Sequence, residues 1–156
     1  MKKLIFLIII AVALISIFHD LGKKEDPLVL DFSSEKYGDV DPHGLKLSHG
    51  DLLSIKQSGS IVVVKAKITE NLSNQLTIDQ NYFNVQDLIK KNGFNTCSEL
   101  QYWAVIDKGM ETKVISFDLD KTAIDSIYSD KVIGSDIEKV TKNLWIAPAL
   151  QNKNTD

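Results

Sequence analysis

Asp39, Asp41, His43, His49 and Asp51 are the side chains of this chain whose types could meet on a divalent cation, the carboxylates giving oxygen ligands and the imidazoles nitrogen. Their spacing follows no established ligand pattern. Gly38, Pro42, Gly44 and Gly50 punctuate the same stretch, and aspartates beside glycine and proline are what tight turns use. The stretch therefore reads as turns before it reads as a metal site. No metal or cofactor is assigned to it.

A second set of carboxylates, Asp118 and Asp120, lies in Phe117-Asp118-Leu119-Asp120-Lys121-Thr122, behind Val114 and Ile115. Each residue has a structural role to play there. Ile115, Phe117 and Leu119 alternate inward along a strand, which leaves Ser116 and Asp118 facing water. Asp120 then N-caps a helix carrying Ile124, Ile127 and Tyr128, with Leu119 and Ile124 at staple spacing across the cap.

The same letters resemble the first motif of the haloacid dehalogenase-like phosphatases, D-x-D-x-T after an apolar strand. That resemblance implies a nucleophile at Asp118, a general acid/base at Asp120 and a magnesium ion holding the phosphate. The family continues through a doubly wound parallel domain, whereas the residues after Thr122 read as two short helices and one strand. A central parallel strand is also apolar on both faces, and this one is not. The structural roles are preferred, and no catalytic residue is assigned.

Cys97 is the single cysteine, so no intramolecular disulfide can form and stability must come from packing. It reads as a small, partly buried hydrophobe. His19 stands at the edge of an apolar run and needs no special role. Tyr82 with Phe83, and Tyr102 with Trp103, place large rings on both parities of their elements, so one of each pair could anchor a partner. The preferred reading has Trp103 and Trp145 filling the two sides of a sheet.

The elements that position these residues follow from periodicity. Ile61–Ile68 is the clearest strand, with Val62, Val64, Ala66 and Ile68 on one face and Lys65 and Lys67 on the other. A wet face argues for antiparallel pairing. Glu99–Ile106 and Glu111–Leu119 form a hairpin across Asp107, Lys108, Gly109 and Met110. Leu28–Phe32 and Leu52–Lys56 are weaker strands. Asn84 caps a short helix with Val85, Leu88 and Ile89, ending at Gly93. Ser135 and Glu138 form a capping box before Ile137, Val140 and Leu144, and Leu144–Ala147 is a last short strand ended by Pro148. The fold class expected is α+β: an antiparallel sheet or β-sandwich, immunoglobulin-like in one form, with short inserted and C-terminal helices.

Ahead of this domain, Lys2 and Lys3 precede a run that is apolar from Leu4 to Phe18 except for Ser16. It reads as a transmembrane anchor or an export signal. The only A-x-A-like element, Ala11 to Ala13, lies inside the run, which favours a retained anchor through residues 4–21 over cleavage and secretion. At about 1.5 Å per residue the run falls short of a ~30 Å hydrocarbon core, and Leu21 with local thinning makes up the difference. Lys2 and Lys3 hold the N-terminus in the cytoplasm. No cysteine follows the run to carry a lipid.

The expected organisation is residues 1–26 as anchor and tether, 27–150 as one extracytoplasmic domain, and 151–156 as a polar tail. Net charge is -3, and no cluster of Lys or Arg gathers on one segment. Nucleic acid is therefore not an expected partner.

From Gly59 onward the chain resembles small exported or membrane-anchored proteins of Gram-positive bacteria, often lipoproteins, with an immunoglobulin-like or related domain. The resemblance rests on Gly59-Ser-Ile-Val-Val-Val-Lys-Ala-Lys-Ile68, Gln80-Asn-Tyr-Phe-Asn-Val-Gln-Asp-Leu-Ile89, Gln101-Tyr-Trp-Ala-Val105, Lys113-Val-Ile-Ser-Phe117 and Leu144-Trp-Ile146. It implies a cell-surface module without known catalysis. Beside the membrane itself, through residues 4–21, a protein at the cell surface is the partner expected.

Overall fold

The structure, a computed structural model, describes residues 28–151 apart from residues 43, 69 and 108. The N-terminal apolar run and tether, His43 and residues 152–156 lie outside the described residues. No helix among the described residues is long and apolar enough to cross a membrane.

Six strands account for most of the alternating segments: β1 (Lys36–Val40), β2 (Asp51–Gly59), β3 (Ile61–Lys67), β4 (Glu99–Asp107), β5 (Glu111–Asp120) and β6 (Lys142–Ile146). They form one sheet in chain order, so the class is mixed α+β. Every neighbouring pair is antiparallel except β3 and β4, which run parallel with Val64 opposite Tyr102. The antiparallel expectation for β3 fails on that side because the connection sets direction, not the wetness of a face. Helix α1 (Asn74–Lys91) carries the chain back along the sheet, so β4 starts at the same end as β3.

A sandwich was one expected form. All described strands instead enter one sheet, and helices take the place that a second, immunoglobulin-like sheet would fill. The reason lies in α1, which runs without Pro or Gly and buries Ile78, Tyr82, Val85, Leu88 and Ile89 as one stripe. Against it lie Val62, Val64 and Ala66 of β3, Leu100, Tyr102 and Ala104 of β4, and Ile115, Phe117 and Leu119 of β5, all nearly or wholly buried. Phe117 sits between Tyr102 and Tyr82, with ring centroids 5.3 Å and 5.4 Å away.

The ends of α1 correct one expectation and meet another. Ser73 is the N-cap, its hydroxyl accepting from the Leu76 N–H at 3.2 Å. Asn84 is no cap; it is buried in mid-helix. Its Oδ1 accepts from the His49 N–H at 2.9 Å and its Nδ2 donates to the His49 carbonyl at 2.7 Å. A cap-forming residue type is here spent on fastening the β1–β2 loop. The helix does stop before Gly93, at φ +85, where a Cβ would come within 1.7 Å of the Leu30 carbonyl oxygen.

That close approach explains why Leu28–Phe32 is not a strand. The Leu30 N–H donates to the Asn92 carbonyl at 2.8 Å, and Asn92 Nδ2 donates to the Leu28 carbonyl at 2.9 Å. Phe32 then packs on Phe94 with centroids 4.7 Å apart. The segment is held by the end of α1 rather than by a sheet edge.

Helix α2 (Lys121–Tyr128) buries Ile124 and Ile127 as its stripe requires. The Ser135–Glu138 capping box does not form. Gly134–Val140 is a 3-10 segment without a side-chain cap, although Ile137 is buried. Gly134 at φ +55 turns the chain there against Phe83, and its N–H donates to Gln86 Oε1 at 2.7 Å. A short helix α3 (Pro148–Gln151) ends the described chain, following Ala147, whose N–H donates to the Val114 carbonyl at 2.8 Å.

Candidate binding surface on the open face of the sheet

With helices on one face, the other face of the sheet is open. Register places Trp103 of β4, Ser116 of β5 and Trp145 of β6 side by side in one row across it. The two indoles are 41% and 42% exposed. The expectation that they fill opposite sides of the sheet is therefore corrected. Both stand on the same side, because Ser116 is the cross-strand partner of each.

Between them reaches Lys113. Strict alternation from Ile115, which faces the core opposite Ala104, would also point Lys113 inward. The register shifts between Ala104 and Val105, so that Lys113 faces Val105 and Val114 is the extra residue of a β-bulge. The bulge turns Lys113 outward. Its Nζ lies 5.6 Å from the Trp103 ring centroid and 5.3 Å from that of Trp145, within cation–π range of both.

Elsewhere on this face lysines meet carboxylates: Lys56 with Asp39 at 3.7 Å, Lys65 with Glu111, and Lys142 with Asp120 at 2.6 Å. Lys113 meets indoles instead. One row further along β5, Gln101 stands opposite Asp118, and Asn143 Nδ2 donates to Asp118 Oδ2 at 2.7 Å. The surface thus combines two flat apolar rings, an ammonium and several polar side chains.

The Asp118–Thr122 motif lies beside this surface, and its two aspartates diverge. Asp118 is on the open face. Asp120 caps α2, its Oδ1 accepting from the Ala123 N–H at 2.9 Å, as expected from the sequence. The Lys142 ammonium, aided by that N–H, holds the Asp120 carboxyl below its ordinary range. Strand β5 is antiparallel to both of its neighbours, unlike the parallel strand that the phosphatase resemblance implies.

The Asp39–Asp51 stretch is spread out. Asp39 is on β1, Asp51 opens β2, and His49 is fixed through its main chain by Asn84. Among the described residues no three His, Cys, Asp or Glu side chains gather closely enough to hold a metal.

Of the remaining residues singled out, Tyr82 and Tyr102 are core and Phe83 is partly exposed on α1. The Tyr102 hydroxyl donates to Asn81 Oδ1 at 3.0 Å and accepts from Asn84 Nδ2 at 3.4 Å. Burial raises both phenol pKa values. Cys97 is wholly buried, its thiol donating to the Phe94 carbonyl at 3.0 Å, and burial pushes that thiol up to about 12.

Sequence reasoning named both tryptophans and missed Lys113. A bulge leaves little local signal; the run Lys113-Val114-Ile115, with two apolar residues where alternation calls for one, is the trace it leaves. No protein-family model, curated protein or solved structure matches the chain.

Proposed function

We propose that the chain is a membrane-anchored, extracytoplasmic binding module whose ligand meets the open face of the sheet around Trp103, Lys113 and Trp145. The observation that carries the reading is the pair of exposed indoles on one face with a lysine between them. Tryptophan is costly to leave half in water, and exposed aromatic anchors are enriched where partners bind. The membrane part rests on the run from Leu4 to Phe18 behind Lys2 and Lys3. A binding role is preferred to a catalytic one because the polar groups of the face are tied to structural partners, Asp120 to its cap and Asp118 to Asn143.

The test has two arms on intact cells. Protease added outside should remove the C-terminal domain without lysis, and Trp103→Ala with Trp145→Ala should abolish whatever ligand the wild-type domain retains at the surface. A domain protected in unlysed protoplasts would sink the topology. Ligand retention unchanged in the double variant would sink the assignment of the face.

A further inference from the structure

The point at which the chain leaves the domain toward its N-terminal apolar run is fixed by hydrogen bonds. Leu28 and Leu30 are clamped on Asn92, just past α1: the Asn92 side-chain amide donates to the Leu28 carbonyl at 2.9 Å, and the Leu30 N–H donates to the Asn92 carbonyl at 2.8 Å. The Phe32 N–H continues the clamp, donating to Thr96 Oγ1 at 2.8 Å. Leu28 therefore sits at the end of the domain where α1 stops and where β3 and β4 begin, the Ser98 N–H donating to the Ser60 carbonyl at 2.9 Å beside it. The β4–β5 hairpin with exposed Met110, and exposed Leu72 between β3 and α1, lie at the opposite end.

The distance between these ends restricts how the domain can stand on a bilayer. The 9 residues of β4 span about 30 Å. On the reading of residues 4–21 as a retained anchor, residues 22–27 alone join the bilayer to Leu28. Fully extended, they carry Leu28 about 25 Å from Leu21, and roughly 5–7 Å of that crosses the headgroup layer. With the hairpin end down, Leu28 would stand roughly 30 Å above the headgroups, out of the tether's reach.

We propose that the end of the domain around Leu28 is its membrane-facing surface, apposed to lipid headgroups, with the strands upright and the β4–β5 hairpin pointing away from the bilayer. The side chains there suit that contact. Val29 is 68% exposed beside the exit point. The lysines of this end already meet carboxylates: Lys90 with Asp130, Lys91 with Asp87 at 2.6 Å, and Lys121 with Asp125 at 2.6 Å. An end of paired charges needs no anionic lipid to hold it, unlike a polybasic segment. A short tether also makes the contact effectively intramolecular, so the isolated domain needs no lipid affinity of its own. Laying the open face down would instead dehydrate the pairs Lys56–Asp39, Lys65–Glu111 and Lys142–Asp120. Upright strands leave that face clear of lipid.

The full chain is reconstituted into phosphatidylcholine vesicles, with and without phosphatidylglycerol, in which some headgroups carry a nitroxide that quenches fluorophores at near contact. Cys97 is buried, so a thiol-directed fluorophore reports a single added cysteine: Val29→Cys at the Leu28 end, Met110→Cys at the hairpin, Gln101→Cys on the open face or Glu138→Cys in the helical layer. Quenching should be several-fold stronger at position 29 than at the other three, and the same in both lipid mixtures. A long Gly/Ser insert between Lys24 and Glu25 should bring position 29 down toward the rest, because the tether then no longer limits orientation. Equal quenching at all four positions, or quenching at 110, 101 or 138 that matches or exceeds position 29, would overturn the orientation while leaving the anchor standing. An insert that changes nothing would overturn the tether as its cause. A chain that fails to float with the vesicles, or that alkaline carbonate strips from them, would remove the anchor and the orientation together.

Discussion

Lys113 and Ile115 stand two residues apart on β5 and face opposite sides of the sheet: Ile115 is wholly buried in the core, and Lys113 lies over Trp103 and Trp145 on the open face. A regular strand forbids this, since its side chains repeat every second residue. The bulge at Val114 permits it, and the bulged backbone is held by the bond from the Ala147 N–H to the Val114 carbonyl. The strand so keeps Ile115 in the core while delivering a cation to the surface.

Truncating that lysine has a small energetic and a clear spectroscopic consequence. Lys113→Ala should cost about 1 kcal/mol or less, the range of exposed cation–π contacts, and should change the tryptophan emission of the folded protein. Denaturant melts followed by fluorescence measure both. An unchanged native spectrum would mean that the ammonium does not rest on the indoles in solution.

Strand parity is tested by two neighbouring residues. Val64 is fully buried opposite Tyr102, so Val64→Asp should cost on the order of 4 kcal/mol or prevent folding, because a charge enters the core without a partner. Lys65 points to the open face and pairs with Glu111 at the surface, so Lys65→Ala should cost about 1 kcal/mol or less. Equal melts for the two variants would contradict the assignment of faces.

Much of this arrangement was legible in the sequence, and the rest was hidden for identifiable reasons. The inward faces of β3 and of β5 from Ile115 to Leu119, the β4–β5 hairpin and the Asp120 cap all follow from local alternation and capping, and the structure has them as expected, except that Ser116, expected to face water, is buried. The direction of β4 against β3 did not, because it depends on where α1 carries the chain. Asn84 misled because its partner, the His49 main chain, is distant in sequence. The shared face of Trp103 and Trp145 depends on the pairing of three strands, which no one segment specifies.

Cys97 gives a chemical readout of folding. Its thiol is buried and pushed up to about 12 from an ordinary 9.0, so the thiolate that reacts with alkylating agents is scarce in the folded state. Modification by iodoacetamide at pH 8 should track unfolding, and rapid labelling of the native protein would refute the burial. The linkage has the same sign: the folded pKa is raised, so the contribution is intact below pH 9 and is lost as pH rises toward 12. Burial of Tyr82 and Tyr102 acts in the same direction. Cys97→Ala should flatten the alkaline fall in melting temperature.

Asp120 gives the acid counterpart. Its carboxyl is held below the ordinary 3.8 by Lys142 and by the capped N–H of Ala123, so its stabilising effect is present above that value and fades as pH drops through the lowered one. Asp120→Asn should keep the cap, lose the pH dependence and melt within a few degrees of wild type, while Asp120→Ala should melt lower than either. Magnesium-dependent phosphate release by the purified chain that vanished in Asp118→Asn would instead favour phosphatase chemistry at this motif.

The central claim, that the open face receives the ligand outside the cell, is tested most directly by site-specific photo-cross-linking on living cells. A photoreactive residue replaces Gln101, on the open face opposite Asp118, or Gln75, exposed on α1 in the helical layer. Light should give a discrete cell-surface adduct from position 101, lost with Trp103→Ala and Trp145→Ala, and none from position 75. An adduct from position 75 alone, or equal adducts from both that ignore the tryptophans, would contradict the account.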